Sequence, residues 1–241
     1  LAAQAGVRYS IINPKEYIQT NVTGFFNILE LCRIFNIRRV FYASSSSVYG
    51  DSKKYPVNEK FEINPKNIYG FTKKMNEISA KIYSLNSNIK FVGLRFFTVF
   101  GEWGRPDMLL FKLMRAFKKK KVFYLNESGN HHRDFTYIKD VVYILNKLIK
   151  INLKENNSVY NICSNRPVKV AKIVTKMKKK LKGLKIKNIS PKIIKKIEVN
   201  KTHGDNRKIL KLIKTNKFTK FDIALRNTIK WYMDEKIYKI T

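Results

Sequence analysis

Ala43-Ser44-Ser45-Ser46-Ser47-Val48-Tyr49-Gly50, followed further on by Asn67-Ile68-Tyr69-Gly70-Phe71-Thr72-Lys73, is the stretch on which the reading of this chain turns. The residues that lead into the serines, Val40-Phe41-Tyr42-Ala43, form a short apolar, β-rich run, as in a strand buried inside a parallel sheet. The serines then stand at the carboxyl end of a strand, where open α/β sheets bind their ligands. Tyr69 and Lys73 are four apart at the start of a predicted helix, Tyr69 to Leu85, so both side chains leave one face. A hydroxyl, a phenol and an ammonium group can then meet on one substrate oxygen.

Tyr-x-x-x-Lys alone carries little weight in a chain so rich in both residues, and Tyr49/Lys53, Tyr143/Lys147 and Tyr232/Lys236 repeat it. Such a pair is ordinarily a surface tyrosine beside a solvated lysine. Only Tyr69 has a serine-bearing strand upstream, Pro65 to stop any earlier helix, and a helical run behind it.

The serine run, the Tyr69/Lys73 pair, Leu94-Arg95-Phe96-Phe97-Thr98-Val99-Phe100-Gly101 and Arg133-Asp134-Phe135 resemble the extended short-chain dehydrogenase/reductase superfamily, and within it the nucleotide-sugar epimerases. Trp103-Gly104-Arg105-Pro106-Asp107-Met108 is similar to the UDP-glucuronate 4-epimerase branch. The resemblance runs from Leu1 to about Tyr232. It implies an α/β fold: a Rossmann-like doubly wound parallel sheet with a small C-terminal substrate-binding lobe. Residues 1–105 would be the C-terminal part of an NAD-binding domain, and 106–241 mainly the lobe, with some segments returning to the sheet. Leu1-Ala2-Ala3 resembles the string that closes a central strand beside the dinucleotide. The family's glycine-rich phosphate loop precedes that string, and this sequence holds no Gly-x-Gly-x-x-Gly. On the order of eighty residues, two to three βα steps, are therefore expected upstream, making the chain an N-terminally truncated enzyme.

With 241 residues the chain can bury a sizeable core as one large domain, or one domain with a smaller lobe. Lys and Arg number 50 against 17 Asp and Glu, giving a formal net charge of +33. Lysine supplies most of it, in runs such as Lys118 to Lys121 and Lys178 to Lys180. A specific nucleic-acid binder interleaves Arg with exposed aromatics on one motif, an arrangement this sequence lacks. Solvated lysine faces account for the charge, and non-specific attraction to polyanions at low salt follows from it. Cys32 and Cys163, far apart in apolar surroundings, read as buried reduced thiols of a cytoplasmic protein. No segment reaches the roughly eighteen apolar residues of a membrane span, and the start lacks the order of a signal peptide, so no membrane partner is expected. His131 and His132 are adjacent, so their side chains diverge, and no metal site is expected.

Asn13-Pro14 predicts a helix start, Asn as cap and Pro at the first helical position. Ile18, Val22, Phe25, Phe26, Leu29, Cys32 and Phe35 then predict one apolar face laid on the sheet. After strand Phe91 to Arg95 the elements shorten. A helix through Met114 and Phe117, strand Val122 to Leu125 and a polar loop into Arg133 come first. Helix Asp140 to Lys150 with Asp140 as cap, strand Val159 to Ile162, helix Val168 to Leu181 and helix Phe221 to Glu235 follow.

The resemblance implies that Ser45, Tyr69 and Lys73 are catalytic. A free phenol titrates near 10, too high for a base at neutral pH, and the Lys73 ammonium is expected to favour the phenolate. Tyr69 would take the proton from the sugar 4-hydroxyl while Ser45 bonds the same oxygen. Hydride would pass from C4 to NAD and return to the other face of a 4-keto sugar. Ser45 matches the family's catalytic Ser/Thr counted back from Val48-Tyr49-Gly50; a serine capping a strand end is the alternative. Leu1, Ala2, Ala3, Asn21, Tyr69 and Lys73 would line the NAD, Asn21 holding the active-site backbone or serving only as a polar face residue. Ser45, Ser46, Ser47, Thr98 and Arg105 would meet the sugar, the last two at its carboxylate, and Arg133 would pair with the UDP diphosphate. Arg105 as a surface loop arginine stays open, and Asp134 is expected to orient local backbone.

Ser46 and Ser47 stand where related 4,6-dehydratases carry Asp-Glu. Neither serine can pull a C5 proton, which favours epimerisation. Glu102 departs from the branch, where Pro usually precedes Trp, and puts an acid near the expected anion. The implied reaction is UDP-glucuronate to UDP-galacturonate. Another epimerase, a dehydratase or a decarboxylase of the family, a non-catalytic remnant, and a basic polyanion-binding protein are the alternatives. The family's homodimer would form through helices Pro14 to Phe35 and Tyr69 to Leu85.

Overall fold

Residues 3–190, 196–215 and 217–234 are described by this computed structural model. The first half runs α1 (Tyr9–Ile12), α2 (Pro14–Tyr17), a π-helical turn (Ile18–Thr23), α3 (Gly24–Ile34), β1 (Arg39–Ser45), α4 (Ile68–Leu85), β2 (Lys90–Phe96), β3 (Thr98–Phe100) and α5 (Leu109–Lys118). It continues with β4 (Phe123–Asn126), β5 (His132–Tyr137), α6 (Ile138–Ile149), β6 (Asn157–Ile162), β7 (Pro167–Lys169), α7 (Val170–Lys180), β8 (Ile186–Ile189), α8 (Arg207–Ile213) and α9 (Phe221–Met233).

β1 extends past the apolar run and takes Ser44 and Ser45 into its last two positions. β1, β2 and β6 form one parallel sheet with β2 in the middle, Val40 opposite Phe91 and Leu94 opposite Tyr160. Successive side chains point to opposite faces. Tyr42 and Phe91 pack with Leu29 of α3 and Ala80 of α4, whereas Val92 and Leu94 pack with Ile144 and Leu148 of α6 and Ile209 of α8. Helices therefore cover both faces, the doubly wound arrangement that suits strands apolar throughout. Gly93 is bare because the Tyr42 ring crosses it; a Cβ there would lie 2.6 Å from the Tyr42 hydroxyl.

Beyond β2 the chain builds two small sheets. β3 pairs in parallel with β5, β5 antiparallel with β7, and β4 in parallel with β8. Leu113 and Met114 of α5, Ile173 and Met177 of α7 and Leu225 of α9 share one core beneath them. No helix among the described residues is long and apolar enough to cross a membrane.

Several elements differ from expectation. The Asn13 side chain makes no capping hydrogen bond at α2. Pro14 to Phe35 is not one regular helix, because the π turn takes in an extra residue and rotates the apolar stripe. Leu29 is fully buried, but Ile18, Phe26 and Phe35 face outward at 39%, 48% and 68% exposure. Asp140 is not the cap of α6; Tyr137 holds that position, and Asp140 accepts hydrogen bonds from Thr219 N–H at 3.0 Å and Thr219 Oγ1 at 2.8 Å. The polar loop into Arg133 ends in β5, which went unread with β3, β7 and α8 because they are too short for periodicity to register. Cys32 is half-buried and Cys163 buried, both as free thiols.

Candidate active site

After Ser45 the chain enters a single 3-10 turn, Ser46–Val48, whose Ser47 N–H donates to Ser45 Oγ at 3.1 Å. Ser45 thus does cap a strand end, the structural role left open for it. α4 starts against this turn. Asn67 caps the helix, its Oδ1 accepting from Gly70 N–H at 2.9 Å. Gly70 is the point of contact, for a Cβ there would lie 2.5 Å from the Ser47 carbonyl oxygen. The bare α-carbon brings Tyr69 up to the serines. Gly70→Ala is expected to push α4 off the turn, with a loss of about 1–3 kcal/mol of stability and a fall in kcat, checked by thermal unfolding and steady-state rates.

Tyr69 stands within hydrogen-bonding reach of Ser45. Burial pushes its phenol pKa up, while the Ser45 hydrogen bond and the Arg105 charge pull it down. Four residues on along the helix, the Lys73 ammonium lies over the ring, 5.9 Å from its centroid, and Arg105 brings a second positive charge to bear on the phenol. Lys73 is 4% exposed, and burial lowers its ammonium to about 8. Its Nζ makes no hydrogen bond among the described residues.

Asn21 sits in the π turn and is 1% exposed. Its Oδ1 accepts from Gln4 N–H at 2.8 Å, and its Nδ2 donates to the Gln4 carbonyl at 2.9 Å and to Thr72 Oγ1 at 3.1 Å. The backbone after Ala3 is thereby tied to α4 beside Lys73; Leu1 and Ala2 lie outside the described residues. Arg105 Nε donates to Asp107 Oδ1 at 2.9 Å, and its Nη2 to Asp107 Oδ2 at 2.5 Å and to the Ala5 carbonyl at 3.4 Å. This pair lies over Gly6, whose φ of 112° glycine adopts freely. Ser46 and Ser47 are half-buried on their turn, and Thr98 is half-buried at the start of β3. Arg133 belongs to a second cluster, its Nη2 3.5 Å from Glu198 Oε2, while Glu198 Oε1 holds Arg8 at 2.7 Å.

Residues 1–163 match the NAD dependent epimerase/dehydratase family. The chain belongs to that family. Protein CapI of Staphylococcus aureus is 44% identical over 198 residues, which cover 75% of this chain and 59% of CapI. UDP-glucuronate 4-epimerase 4 of Arabidopsis thaliana is 40% identical over 198 residues, 76% of this chain and 45% of that one. The chain thus spans about half the length of these curated relatives. A solved UDP-glucuronic acid 4-epimerase from Bacillus cereus, in complex with UDP-glucuronic acid and NAD, superposes with a TM-score of 0.88 at 27% identity, over 100% of this chain and 74% of that one.

The family is NAD-dependent, and this epimerase/dehydratase chain fits the nicotinamide end of the cofactor on its own geometry. Lys73 is 4% exposed with no hydrogen bond from its Nζ among the described residues, so its three donors remain available, and the nicotinamide ribose hydroxyls would give them an acceptor.

Sequence reasoning missed several groups in this family member. Tyr17, 0% exposed, stands edge-on to Tyr69 at 6.3 Å and donates to the Gly6 carbonyl at 2.7 Å; burial pushes its phenol up to about 12. Glu77, two turns along α4 from Tyr69, forms a buried ion pair with Arg95 of β2 at 2.7 Å and accepts from Ser44 Oγ at 2.5 Å. Its signal was an acid on the same helix face as Tyr69 and Lys73. Two expectations need correction. Glu102 turns away from Arg105, accepting from the Tyr137 hydroxyl at 2.7 Å and pairing with Lys139 at 3.2 Å, so it does not oppose an anion there. Asp134 orients distant rather than local backbone, accepting from Ser164 N–H at 3.0 Å and Gly204 N–H at 3.2 Å.

Proposed function

We propose that the protein is a nucleotide-sugar 4-epimerase that interconverts UDP-glucuronate and UDP-galacturonate through a transient 4-keto sugar. The observation that carries this reading is the meeting of Ser45, Tyr69 and Arg105 at the carboxyl end of β1. Tyr69 takes the proton of the sugar 4-hydroxyl and returns it, and Ser45 hydrogen-bonds the same oxygen. NAD, when bound, supplies the hydride acceptor for C4 and a positive charge that favours the phenolate. Lys73 and Asn21 hold the cofactor side, with Ala3 beside them. Ser46 and Ser47 add hydroxyls and no carboxylate, which favours epimerisation over elimination. Residues 1–105 form the cofactor side and 106–241 mainly the substrate lobe in this proposal, with β6 returning to the sheet.

Arg105, with Thr98, is assigned to the sugar carboxylate. Asp107 takes up Nε and one Nη2 hydrogen, so the substrate would use Nη1. Arg133 is assigned to the diphosphate, giving up its 3.5 Å contact with Glu198. A 4-keto uronate is a β-keto acid that loses carbon dioxide when the breaking bond aligns with the carbonyl π system, and an arginine holding the carboxylate near the carbonyl plane suppresses that loss. Arg105→Ala is expected to release UDP-pentose beside UDP-galacturonate, read by chromatography; a variant that forms no extra pentose contradicts the assignment.

The active species is proposed to be a homodimer. Ile78, Ile82 and Leu85 line one stripe of α4 at 40%, 52% and 75% exposure, next to Leu31 and Ile34 of α3 at 47% and 59%. Ile82→Glu is expected to turn a dimer into a monomer in sedimentation velocity, and a wild-type monomer would contradict the assignment. The overall reading is tested by incubating the protein with UDP-glucuronate and NAD. A mixture of the two UDP-uronates without net NADH is expected, and failure to form UDP-galacturonate overturns it.

A further inference from the structure

We infer that the small lobe carries a lysine rim that docks on an anionic lipid surface. Lys119, Lys120 and Lys121 follow α5, Lys178, Lys179 and Lys180 end α7, and all six are exposed. The two runs lead into neighbouring strands, for β4 and β8 are paired in parallel and Phe123 N–H donates to the Lys185 carbonyl at 2.9 Å. Leu113 and Ala116 of α5 belong to the same core as Met177, Leu181 and Leu184 around the end of α7. Neither 109–126 nor 168–190 contains an aspartate or glutamate. Of the lysines on α7, Lys176 is paired with Asp222 of α9, whereas the six rim lysines pair with no acid among the described residues; elsewhere cations have acids at hand, as in Lys139 with Glu102, Lys66 with Asp51 and Arg207 with Asp205.

Two helix C-termini favour a few cations nearby. They do not account for six in one rim, because like charges crowded this way repel, and a polyanion facing them removes that repulsion. The rim also lies away from the candidate active site. Asn126, at the far end of β4, lies against Arg8, whose partner Glu198 also holds Arg133. A four-residue strand, about 13 Å long, separates the two ends, so docking through the rim leaves the substrate side open.

The chemistry suits lipid better than nucleic acid. Arg115 is the one arginine in these two stretches, so the rim offers point charges on flexible stems rather than planar forks for reading bases. Such charges fit laterally mobile phosphate headgroups. Beside them Tyr124 projects from the exposed face of β4 at 56% exposure, and tyrosine favours the membrane interface. The expectation of no membrane partner rested on the lack of a spanning segment; a peripheral contact needs none.

The test is flotation with vesicles of phosphatidylglycerol and phosphatidylcholine, and of phosphatidylcholine alone, at about 0.15 M salt. One variant changes Lys119, Lys120, Lys121, Lys178, Lys179 and Lys180 to Gln. A control removes the same charge by changing Lys15, Lys53, Lys60, Lys81, Lys150 and Lys154 to Gln, all exposed and outside the rim. Wild type and control are expected to float with the anionic vesicles only, and the rim variant to lose binding by about tenfold or more. Equal loss in both variants, no flotation of the wild type, or a preference for duplex DNA or RNA over vesicles at equal phosphate concentration would each overturn the inference.

Discussion

Tyr69→Phe is expected to lower kcat for UDP-glucuronate epimerisation by about a hundred- to ten-thousand-fold, the usual contribution of a positioned acid–base group. The substitution removes one oxygen and leaves the packing in place. The edge-on contact with Tyr17 at 6.3 Å and the Lys73 ammonium over the ring both survive it. UDP binding, followed by calorimetry, should therefore stay close to wild type, separating loss of chemistry from loss of structure. The pH profile adds a signature. Burial holds the free phenol above its ordinary value, so wild-type kcat should rise with pH as the phenol ionises in the complex, and the Phe variant should lack that limb. A variant that keeps its rate within about tenfold would move the base to another residue.

Glu77→Leu is expected to cost about 3–5 kcal/mol of folding stability, because it leaves Arg95 charged and unpaired in the interior. The two side chains are only 7% and 5% exposed. They also anchor a continuous run of hydrogen bonds. Arg95 Nη1 donates to the Tyr49 hydroxyl at 2.8 Å, Tyr49 donates to Asn161 Oδ1 at 2.7 Å, and Asn161 Nδ2 donates to the Val57 carbonyl at 2.9 Å. With Ser44 on Glu77, the run joins α4, β1, β2 and β6. Replacing both charges, Glu77→Leu with Arg95→Met, removes the stranded cation and is expected to restore most of the stability, since apolar substitutes for a buried pair are often neutral. Urea unfolding of the single and double variants decides it. A single variant that loses less than about 1 kcal/mol would show that water reaches Arg95.

What the sequence made legible was local. The serine strand and the helix behind Tyr69 follow from neighbours in the chain, and each lies where the pattern puts it. What stayed hidden depends on how distant segments meet. That a second cation reaches the Tyr69 phenol could not be read from spacing, because Arg105 arrives from the loop after β3. The Glu77–Arg95 pair went unread in a chain with 28% charged residues, because only the packing of α4 on the sheet brings the two together in the interior. Glu102 was placed by its neighbour in sequence and pulled elsewhere by Tyr137 and Lys139. The π turn before α3 left no mark in the periodicity, yet three of the seven residues that the pattern assigned to the core face outward.

The most direct test of the central claim follows the hydrogen at C4. UDP-glucuronate carrying deuterium at that carbon is incubated with the protein and NAD, and the mass of the recovered UDP-uronates is read. UDP-galacturonate that keeps the deuterium is the predicted result, because the hydride leaves and returns within one site and only the hydroxyl proton passes through Tyr69. UDP-galacturonate that has exchanged its C4 label with water, or a UDP-pentose or dehydrated sugar in its place, would contradict the account.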